Sequence, residues 1–202
     1  MKSIVMLLAA LGLVDATLAA AEEKKPMESH TEFAVFGGGC FWCMEAVFDH
    51  VPGVKAVVNG YAGGHTKHPT YQEVCTDTTG HAEVVRIEYD PGAVSYEHLL
   101  DVFWDSHDPT TLNRQGADEG TQYRSIILYA NEAQKAAAEK SKAAAQARYA
   151  GAIVTEIVPL QEFFPAEDYH QHYFVKNPNA GYCRLVIKPK VSKLQQQGVI
   201  AK

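Results

Sequence analysis

The sequence predicts an α+β fold in which helices pack on a two-layer mixed β-sheet, in the split βαβ or ferredoxin-like plait arrangement. Two observations indicate this class: segments with strand and helix periodicity alternate along the chain, and at least one pair of consecutive strands lacks a long helical crossover. Parallel neighbours need such a crossover, so the sheet must also contain antiparallel pairs. The residues after Asn177 show no clear period, and we expect an irregular C-terminal tail.

The individual elements follow from local patterns of apolar residues and turn residues. Apolar positions in 40–51 recur with helical spacing, and Pro52 and Gly53 end that helix. Further helices are predicted at 95–106, 132–149 and 168–175. Strands are predicted at 33–36, 54–61, 81–89, 123–129 and 153–158. The polar stretch 107–122 is expected to be a long loop, and long loops inside a domain are usually functional or mobile.

Length and charge exclude some classes of function. The chain has 202 residues, of which 47% are hydrophobic, so it can bury a core without disulfides or a metal. Eighteen basic side chains stand against 24 acidic ones, for a formal net charge of −6, and the sequence contains no basic stripe. Nucleic acid is therefore not an expected partner, because its phosphates attract clustered lysines and arginines.

The first 21 residues have the layout of a secretory signal peptide. Residues 4–14 carry no charge, and the mostly small residues at 16–21 offer an Ala-x-Ala cleavage site. Asp15 ends the apolar run well short of the roughly 20 residues that a membrane span needs. We expect a signal peptide at 1–21, a polar linker at 22–31, a folded domain at 32–190 and a tail at 191–202. The mature protein is expected to be an exported monomer without a membrane anchor, periplasmic in the first instance and secreted as the second choice.

Export changes the chemistry expected of the cysteines, because thiols outside the cytosol tend to form disulfides or to exchange them. Cys40, Cys43, Cys75 and Cys183 allow three full pairings, and the sequence does not choose between them. Four cysteines are too sparse for a disulfide scaffold in a chain of this length. Their reactivity is therefore the more informative property.

Cys40 has the sequence context of a nucleophile. Gly37, Gly38 and Gly39 precede it, and it begins a predicted helix whose first N–H groups have no partner within the helix. The partial positive charge of these groups favours a thiolate, so we expect a lowered pKa for Cys40. Cys43 lies one turn further along the helix, with less of that field.

Three other interpretations of this segment stay open. The two cysteines can fill the core as small apolar side chains. They can bind zinc together with His65 and His68 or with His170 and His172, although neither spacing matches a known zinc module. The glycines can cradle a phosphate, but no Lys-Ser or Lys-Thr pair follows them as in a P-loop.

Glu83 is a carboxylate at an unusual position in a predicted strand. The two-residue period of the strand places it on the face of Val85, Ile87 and Tyr89. A carboxyl on a buried face loses hydration and keeps its proton more readily, which makes Glu83 a candidate general acid. The alternative is that Glu83 lies at the end of the strand and is solvated.

Six segments of the chain form an ordered set of motifs. They are Gly-Cys-Phe-Trp-Cys at 39–43, Gly-Tyr-Ala-Gly-Gly at 60–64, Pro-Thr-Tyr-Gln-Glu-Val-Cys at 69–75, Gly-His-Ala-Glu-Val-Val at 80–85, Asp-Pro-Thr at 108–110 with Gly-Thr-Gln-Tyr-Arg-Ser at 120–125, and Lys-Asn-Pro-Asn-Ala-Gly-Tyr-Cys at 176–183. In this order they resemble the A-type family of peptide methionine-S-sulfoxide reductases. The resemblance covers residues 33–183.

The resemblance implies an activity and a set of partners. The expected reaction is reduction of the S-epimer of methionine sulfoxide, free or in proteins, on a two-layer α/β fold, as a repair of oxidative damage. No metal or organic cofactor is implied. The expected reductant is an external thioredoxin-like protein or another dithiol.

The resemblance also assigns roles to eight side chains of this sequence. One group carries the reaction: Cys40 as nucleophile, Glu83 as proton donor, Tyr71 and Tyr123 as donors to the sulfoxide oxygen, Asp118 in the same polar site, and Cys183 as the resolving cysteine. The other group, Phe41 and Trp42, is expected to receive the methyl group of the substrate.

The sequence departs from the common family pattern at two points. Cys43 occupies a position where many members have Gly, and no cysteine follows Cys183. We therefore expect Cys183 to attack the oxidised Cys40, with Cys43 as the second choice, and Cys75 to be a passive core thiol. Two other functions stay open: a thioredoxin-type thiol-disulfide oxidoreductase that uses Cys40 and Cys43 alone, and an exported metal-binding module.

Overall fold

The structure is a computed structural model that describes residues 31–202. The predicted signal peptide and, apart from Thr31, the predicted linker lie outside the described residues. The strands are β1 Glu32–Gly38, β2 Val54–Ala62, β3 Ala82–Tyr89, β4 Arg114–Gln115, β5 Asp118–Glu119, β6 Ser125–Tyr129, β7 Glu156–Pro159 and β8 Phe163–Pro165.

The helices alternate with these strands. They are α1 Phe41–Phe48, α2 Tyr71–Val74, α3 Tyr96–Ser106, α4 Glu132–Ala145, α5 Tyr173–Lys176 and α6 Lys188–Gln196, with a π-helical turn at Cys183–Ile187. Side chains of Thr70, Ser95 and Asn131 accept the N–H group of a residue in the first turn of α2, α3 and α4. Each such cap contributes about 1 kcal/mol, which explains why these helices begin where they do.

The main sheet has the strand order β7-β6-β1-β3-β2-β8. Strand β1 lies between β3 and β6 and is antiparallel to both, and β2 is antiparallel to β3 and β8. Strands β6 and β7 run parallel, and α4 lies in the crossover between them. Strands β2 and β3, by contrast, are joined by a segment that contains the one-turn helix α2. The predicted α+β class, a mixed sheet with packed helices, is confirmed.

The larger core cluster lies between one face of the sheet and helices α1, α3 and α6. Phe36 of β1 is central to it, with ring centroids 5.9 Å from Phe48 and 5.1 Å from Phe103. A smaller cluster that includes Val84 and Leu128 covers the opposite face. Seven of the eight residues of α1 are buried, so this helix is held on all sides and its N-terminus has a fixed position in the molecule.

The expected irregular C-terminal tail is wrong. Residues 183–196 are helical, and Ile187, Val191 and Leu194 pack into the main core. These apolar positions have the helical spacing i, i+4, i+7, but lysines and glutamines surround them and Pro189 interrupts the run. The weak apolar stripe becomes stable only because α6 packs against α1 and α3, and tertiary packing of this kind cannot be read from local sequence.

Three other predicted helices differ from the structure. The helix expected at 132–149 ends at Ala145 and is followed by a 3₁₀ turn at Gln146–Arg148. The helix expected to reach residue 51 ends at Phe48, because residues 49–53 form turns. The helix expected at 168–175 is two pieces, a 3₁₀ turn at Asp168–His170 and α5. His172 separates them with a φ of 55°, a left-handed conformation that a continuous helix does not contain.

The polar stretch expected to be a long loop contains a small ribbon. Strands β4 and β5 pair antiparallel within 107–122, and a 3₁₀ turn at Thr121–Tyr123 follows them. Among the described residues, no helix combines the length and the apolar character needed to cross a bilayer.

We predict that Leu194→Ala lowers the free energy of unfolding by about 2–5 kcal/mol, because it leaves a cavity under α6, where Leu194 is 2% exposed. Leu185→Ala is the matched control: Leu185 is 78% exposed, and its truncation should change stability by less than about 0.5 kcal/mol. Urea denaturation of the two variants measures both values. Equal effects of the two substitutions would contradict the packed position of α6.

Candidate active site

The chain turns sharply between β1 and α1, and this turn places Cys40 at the N-cap of the helix. Gly39 has a φ of 90°, in the left-handed region that favours glycine. A Cβ atom there would also lie 2.6 Å from the side chain of Gln115. The glycine is therefore required by backbone conformation and by space, and it allows Cys40 to sit directly against the end of the sheet.

Glu83 lies under the first turn of α1. Its carboxyl is 2% exposed, and its Oε2 atom accepts the backbone N–H of Phe41 at 3.0 Å. Burial raises the pKa of Glu83 to about 8, although the N–H bond from Phe41 acts in the opposite direction. At neutral pH the carboxyl therefore holds its proton, as predicted for a general acid, and the alternative of a solvated strand end is wrong.

The pKa values of the two thiols in the Cys-x-x-Cys segment are shifted in opposite directions, and the shift of Cys40 is opposite to the predicted one. Burial, the hydrogen bond with Cys43 and the nearby Glu83 raise the pKa of Cys40, and the N–H of Trp42 only partly offsets this. The hydrogen bond from Cys40 and the charge of Lys190 lower the pKa of Cys43 to about 7, against the effect of burial. The expected lowered pKa of Cys40 is therefore wrong for the substrate-free enzyme, because desolvation outweighs the helix N-terminus.

Tyr71 and Tyr123 lie near this centre, since the charges of Glu83 and Cys40 act on both phenols. Tyr71 is the first residue of α2, and Tyr123 ends the 3₁₀ turn after β5. Burial raises the pKa of both phenols, and the charges that act on Tyr123 include those of Glu83 and Cys40. Both hydroxyl groups therefore keep their hydrogen at neutral pH and can donate it to an acceptor in the site.

An aromatic wall extends from the thiols along α1. The indole of Trp42 stacks on Tyr173, with ring centroids 3.7 Å apart and planes 6° from parallel. Phe41 is buried and packs on Tyr61 and His170, at centroid distances of 6.0 and 4.9 Å. Trp42 is half-buried, and its ring centroid lies 6.3 Å from that of Phe41. Of the pair predicted to receive a methyl group, Trp42 is therefore partly accessible beside Cys40, whereas the buried Phe41 packs behind it.

Asp118 reaches the site through a tyrosine that had no predicted role. The hydroxyl of Tyr182 donates to Oδ2 of Asp118 at 2.6 Å. The oxygen of this Tyr182 hydroxyl also lies 3.6 Å from Sγ of Cys43. The short ribbon of β4 and β5 carries Asp118, so the polar loop expected to be functional does contribute to the site.

The other two cysteines occupy contrasting positions. Cys183 begins the π-helical turn and is fully buried, and the charge that acts on it is that of Cys43. Cys75 is exposed after α2, where its thiol interacts with the hydroxyl of Tyr71. The expectation that Cys75 is a core thiol is therefore wrong: α2 is a single turn, and its C-cap lies on the surface.

Two residues that support the site were not predicted. Glu167 accepts the hydroxyl of Tyr61 and the backbone N–H of Tyr71, each at 2.9 Å, and so fixes the start of α2. His170 is buried among the rings of Phe41, Trp42, Tyr71 and Tyr169. His170 lies in the segment predicted as a helix at 168–175, and Glu167 directly precedes that segment. The density of aromatic residues and histidines in this part of the sequence is the signal that could have indicated a role in the site.

The structure does not support the zinc interpretation. Among residues 31–202, no three His, Cys, Asp or Glu side chains converge in an arrangement that could hold a metal ion. The ring of His170 is enclosed by aromatic side chains, whereas the ring of His172 lies 3.6 Å from Oε1 of Glu45. These two candidate ligands therefore serve packing and charge contacts within the protein.

A protonated buried carboxyl beside a pair of interacting thiols, with phenol donors and an aromatic wall around it, defines the site of a thiol-dependent reductase. A family model described as peptide methionine sulfoxide reductase matches residues 32–202. The chain belongs to this family, and it is an oxidoreductase that acts on methionine sulfoxide.

Individual relatives agree with the family match. The peptide methionine sulfoxide reductase MsrA of Acinetobacter baumannii (strain AYE) is 58% identical over 164 residues, which cover 81% of this chain and 94% of the relative. The structure of reduced Mxr1 from Saccharomyces cerevisiae has a TM-score of 0.72 at 34% identity and covers 77% of this chain and 91% of its own. A structure of Mxr1 in complex with Trx2 has a TM-score of 0.50 at 23% identity, covers 75% and 91%, and supports the fold.

We predict that the proton of Glu83 is directly observable. Infrared difference spectra should show the C=O band of a protonated carboxyl at pH 7, which disappears with a midpoint near pH 8. Glu83→Gln should remove this band, and Glu45→Gln, at another buried carboxyl of the same region, should leave the midpoint near pH 8 unchanged. A carboxyl that is already ionised at pH 6 would contradict the assignment.

Proposed function

We propose that this protein reduces the S-epimer of methionine sulfoxide to methionine by attack of Cys40 on the sulfur of the substrate. The supporting observation is the neutral carboxyl of Glu83, bonded to the N–H of Phe41 directly beside the nucleophile. A sulfoxide oxygen is a poor leaving group unless it is protonated as the S–O bond weakens. A buried acid with a pKa near the working pH is the group that this reaction needs.

The side chains around Cys40 match the parts of a methyl sulfoxide. The half-buried ring of Trp42, supported by the buried ring of Phe41, provides an apolar surface for the methyl group. Aromatic rings also make favourable contacts with sulfur. Tyr71 and Tyr123 keep their hydrogens and can donate to the oxygen, together with Glu83. These preformed donors stabilise the negative charge that develops on the oxygen during attack.

The first half-reaction balances without a cofactor. The sulfur of Cys40 forms a bond to the sulfoxide sulfur as Glu83 protonates the oxygen. Transfer of that hydroxyl to Cys40 releases methionine, and the thiol proton of Cys40 restores Glu83. Methionine sulfoxide is thereby reduced by two electrons, and the thiol of Cys40 is oxidised to a sulfenic acid.

The second half-reaction returns the enzyme to its reduced form. A second thiol of the protein condenses with the sulfenic acid and expels water, which leaves a disulfide. The family resemblance assigns this step to Cys183. An external dithiol then reduces the disulfide by exchange. The structure of Mxr1 with Trx2 supports a thioredoxin-like protein as this reductant.

The preference for one epimer follows from the fixed directions of the site. The methyl surface, the oxygen donors and Cys40 occupy three directions around the substrate sulfur. The remaining substituent must point to the outside if the substrate belongs to a protein chain. Only one configuration at sulfur satisfies all four directions, and the family resemblance identifies it as S.

The cellular setting is also a proposal. We propose that residues 1–21 are removed on export and that the mature enzyme works as a periplasmic monomer. N-terminal sequencing of the protein from the extracytoplasmic fraction should begin after Ala19 or Ala21. A protein that retains Met1 in the cytosol would contradict export.

We predict that the reduced enzyme forms methionine from a methionine sulfoxide peptide before any reductant is added. Cys40→Ser should abolish this first turnover, and Glu83→Gln should slow it on the order of 10²–10⁴-fold through loss of the proton donor. Rapid-quench measurement of methionine gives both rates. A Glu83→Gln enzyme as fast as the parent would show that another group supplies the proton.

The rate of the first turnover should also depend on pH. Because only protonated Glu83 can donate, the rate should fall as the pH rises through about 8. Glu83→Gln cannot ionise, so the same measurement on this variant should show a low rate without that fall. A parallel decline in both enzymes would assign the pH dependence to another group.

The epimer preference can be measured with the two separated diastereomers of an N-acetylated methionine sulfoxide amide. We predict that the S-form gives methionine and that the R-form gives none above background. Comparable yields from both forms would show that the site does not fix all four directions around sulfur.

A further inference from the structure

The 3₁₀ turn that carries Tyr123 is capped by a residue from another part of the chain. Its N-cap residue, Gly120, has no side chain that could accept an N–H group of the turn. The first N–H groups of a helical turn have no partner within the turn. Oδ1 of Asp77 accepts the backbone N–H of Thr121 at 2.7 Å and the hydroxyl of Thr121 at 2.6 Å. A side chain 44 residues away in the sequence therefore supplies the cap.

Asp77 belongs to the segment that also carries Tyr71. Tyr71 begins α2, and the backbone N–H of Asp77 bonds to the carbonyl oxygen of Val74, the last residue of that helix. Helix α2 has contacts of its own, because Thr70 caps it and Glu167 accepts the N–H of Tyr71. The carboxyl of Asp77 thus links a helix that is held independently to a turn that lacks a local cap.

The backbone of Asp77 has an unusual conformation for a residue with a side chain. Its φ is 62°, in the left-handed region. Asp and Asn adopt this region more readily than most residues, and glycine adopts it without strain but has no carboxyl. Such a conformation persists when the surroundings determine it. Two hydrogen bonds from Thr121 hold the exposed carboxyl of Asp77 in this position.

Arg124 provides a second link between the same two segments. Its guanidinium donates to the carbonyl oxygens of Thr121 and Gly80, each at 3.0 Å, and it pairs with Glu156. These bonds do not involve the side chain at position 77. Loss of the Asp77 carboxyl should therefore release the start of the turn while the sheet and the end of the turn stay in place.

We propose that Asp77 is a positioning residue, whose carboxyl fixes the turn that carries Tyr123 so that the phenols of Tyr123 and Tyr71 can donate to the same sulfoxide oxygen. This inference rests on the proposed function for the role of Tyr123 as a donor. The charges of Glu83 and Cys40 act on the Tyr123 phenol, so this phenol lies close to the reacting groups. Misplacement of such a group by about 1 Å can cost on the order of 10²-fold in rate.

Two variants of Asp77 and one control separate the hydrogen bonds from the backbone conformation. Asp77→Gly removes the carboxyl and suits the left-handed conformation, so it introduces no strain. Asp77→Asn keeps a side-chain oxygen that can accept and tolerates the same φ. Thr78→Gly is the matched control, because it places a glycine in the same loop and removes a hydroxyl that bonds within the loop, to Thr76.

Amide hydrogen exchange followed by NMR measures the contact without any substrate. In Asp77→Gly the amide of Thr121 should exchange at least about tenfold faster than in the parent protein, because its charged acceptor is gone. In Asp77→Asn and Thr78→Gly the rate of exchange should stay within about threefold of the parent. An unchanged exchange rate in Asp77→Gly would show that the carboxyl does not hold the turn, and it would overturn the proposal.

The kinetic measurement is the rate of methionine formation from a methionine sulfoxide peptide in the first turnover, over a range of substrate concentrations. Asp77→Gly should lower the limiting rate about tenfold and leave the half-saturating concentration within about twofold, because the phenol stabilises charge that develops in the transition state. Asp77→Asn and Thr78→Gly should keep the limiting rate within about threefold of the parent.

The Tyr123→Phe background tests whether Asp77 acts through Tyr123. Tyr123→Phe alone should be slower than the parent, and addition of Asp77→Gly should then change the rate by less than about twofold, because the group that Asp77 positions is absent. An equal loss in both backgrounds, or no loss in the parent background, would overturn the proposal. If the parent forms no methionine at all, the proposed function fails instead, and the exchange rate of the Thr121 amide still reports the contact.

Discussion

The burial of one protonated carboxyl under a helix N-terminus is the constraint on which this site depends. Glu83 bonds to the N–H of Phe41, so strand β3 and helix α1 meet at the reacting centre. The meeting requires close backbone approach: a Cβ on Gly37 would lie 2.8 Å from the carbonyl oxygen of Glu83. The glycines before Cys40 are therefore needed to position Glu83 as well as Cys40. Because α1 is buried on all sides, neither group can move apart from the other.

The same burial explains why Cys40, the proposed nucleophile, does not carry the negative charge in the substrate-free enzyme. Desolvation and the neighbouring carboxyl oppose ionisation of Cys40, whereas Cys43 receives a hydrogen bond from it and the field of Lys190. Cys43 is therefore the thiol of this pair that ionises more readily, and burial keeps Cys40 protonated before substrate binds.

The sequence was informative where chemistry is local. The strand period placed Glu83 on the apolar face, and the glycines before Cys40 indicated a thiol at a helix start. The sequence was uninformative for properties that depend on how the chain packs. The pKa of Cys40 is set by burial against the helix field, and burial is a tertiary quantity. The role of Tyr182 depends on a contact with Asp118 across 64 residues of sequence, which no local pattern encodes.

The C-terminal segment is a second region whose contribution to the site could not be predicted from local sequence. A stretch with few apolar residues looked like a tail, yet it provides Tyr182, Cys183 and the charge of Lys190 to the site. Its helices are stable because Ile187 and Leu194 enter the core beside α1. Packing of the segment and the charge on Cys43 are therefore coupled, since any displacement of α6 moves Lys190. The π-helical turn joins Tyr182, which contacts Asp118, to the packed helix α6, so contacts on both of its sides set the position of Cys183.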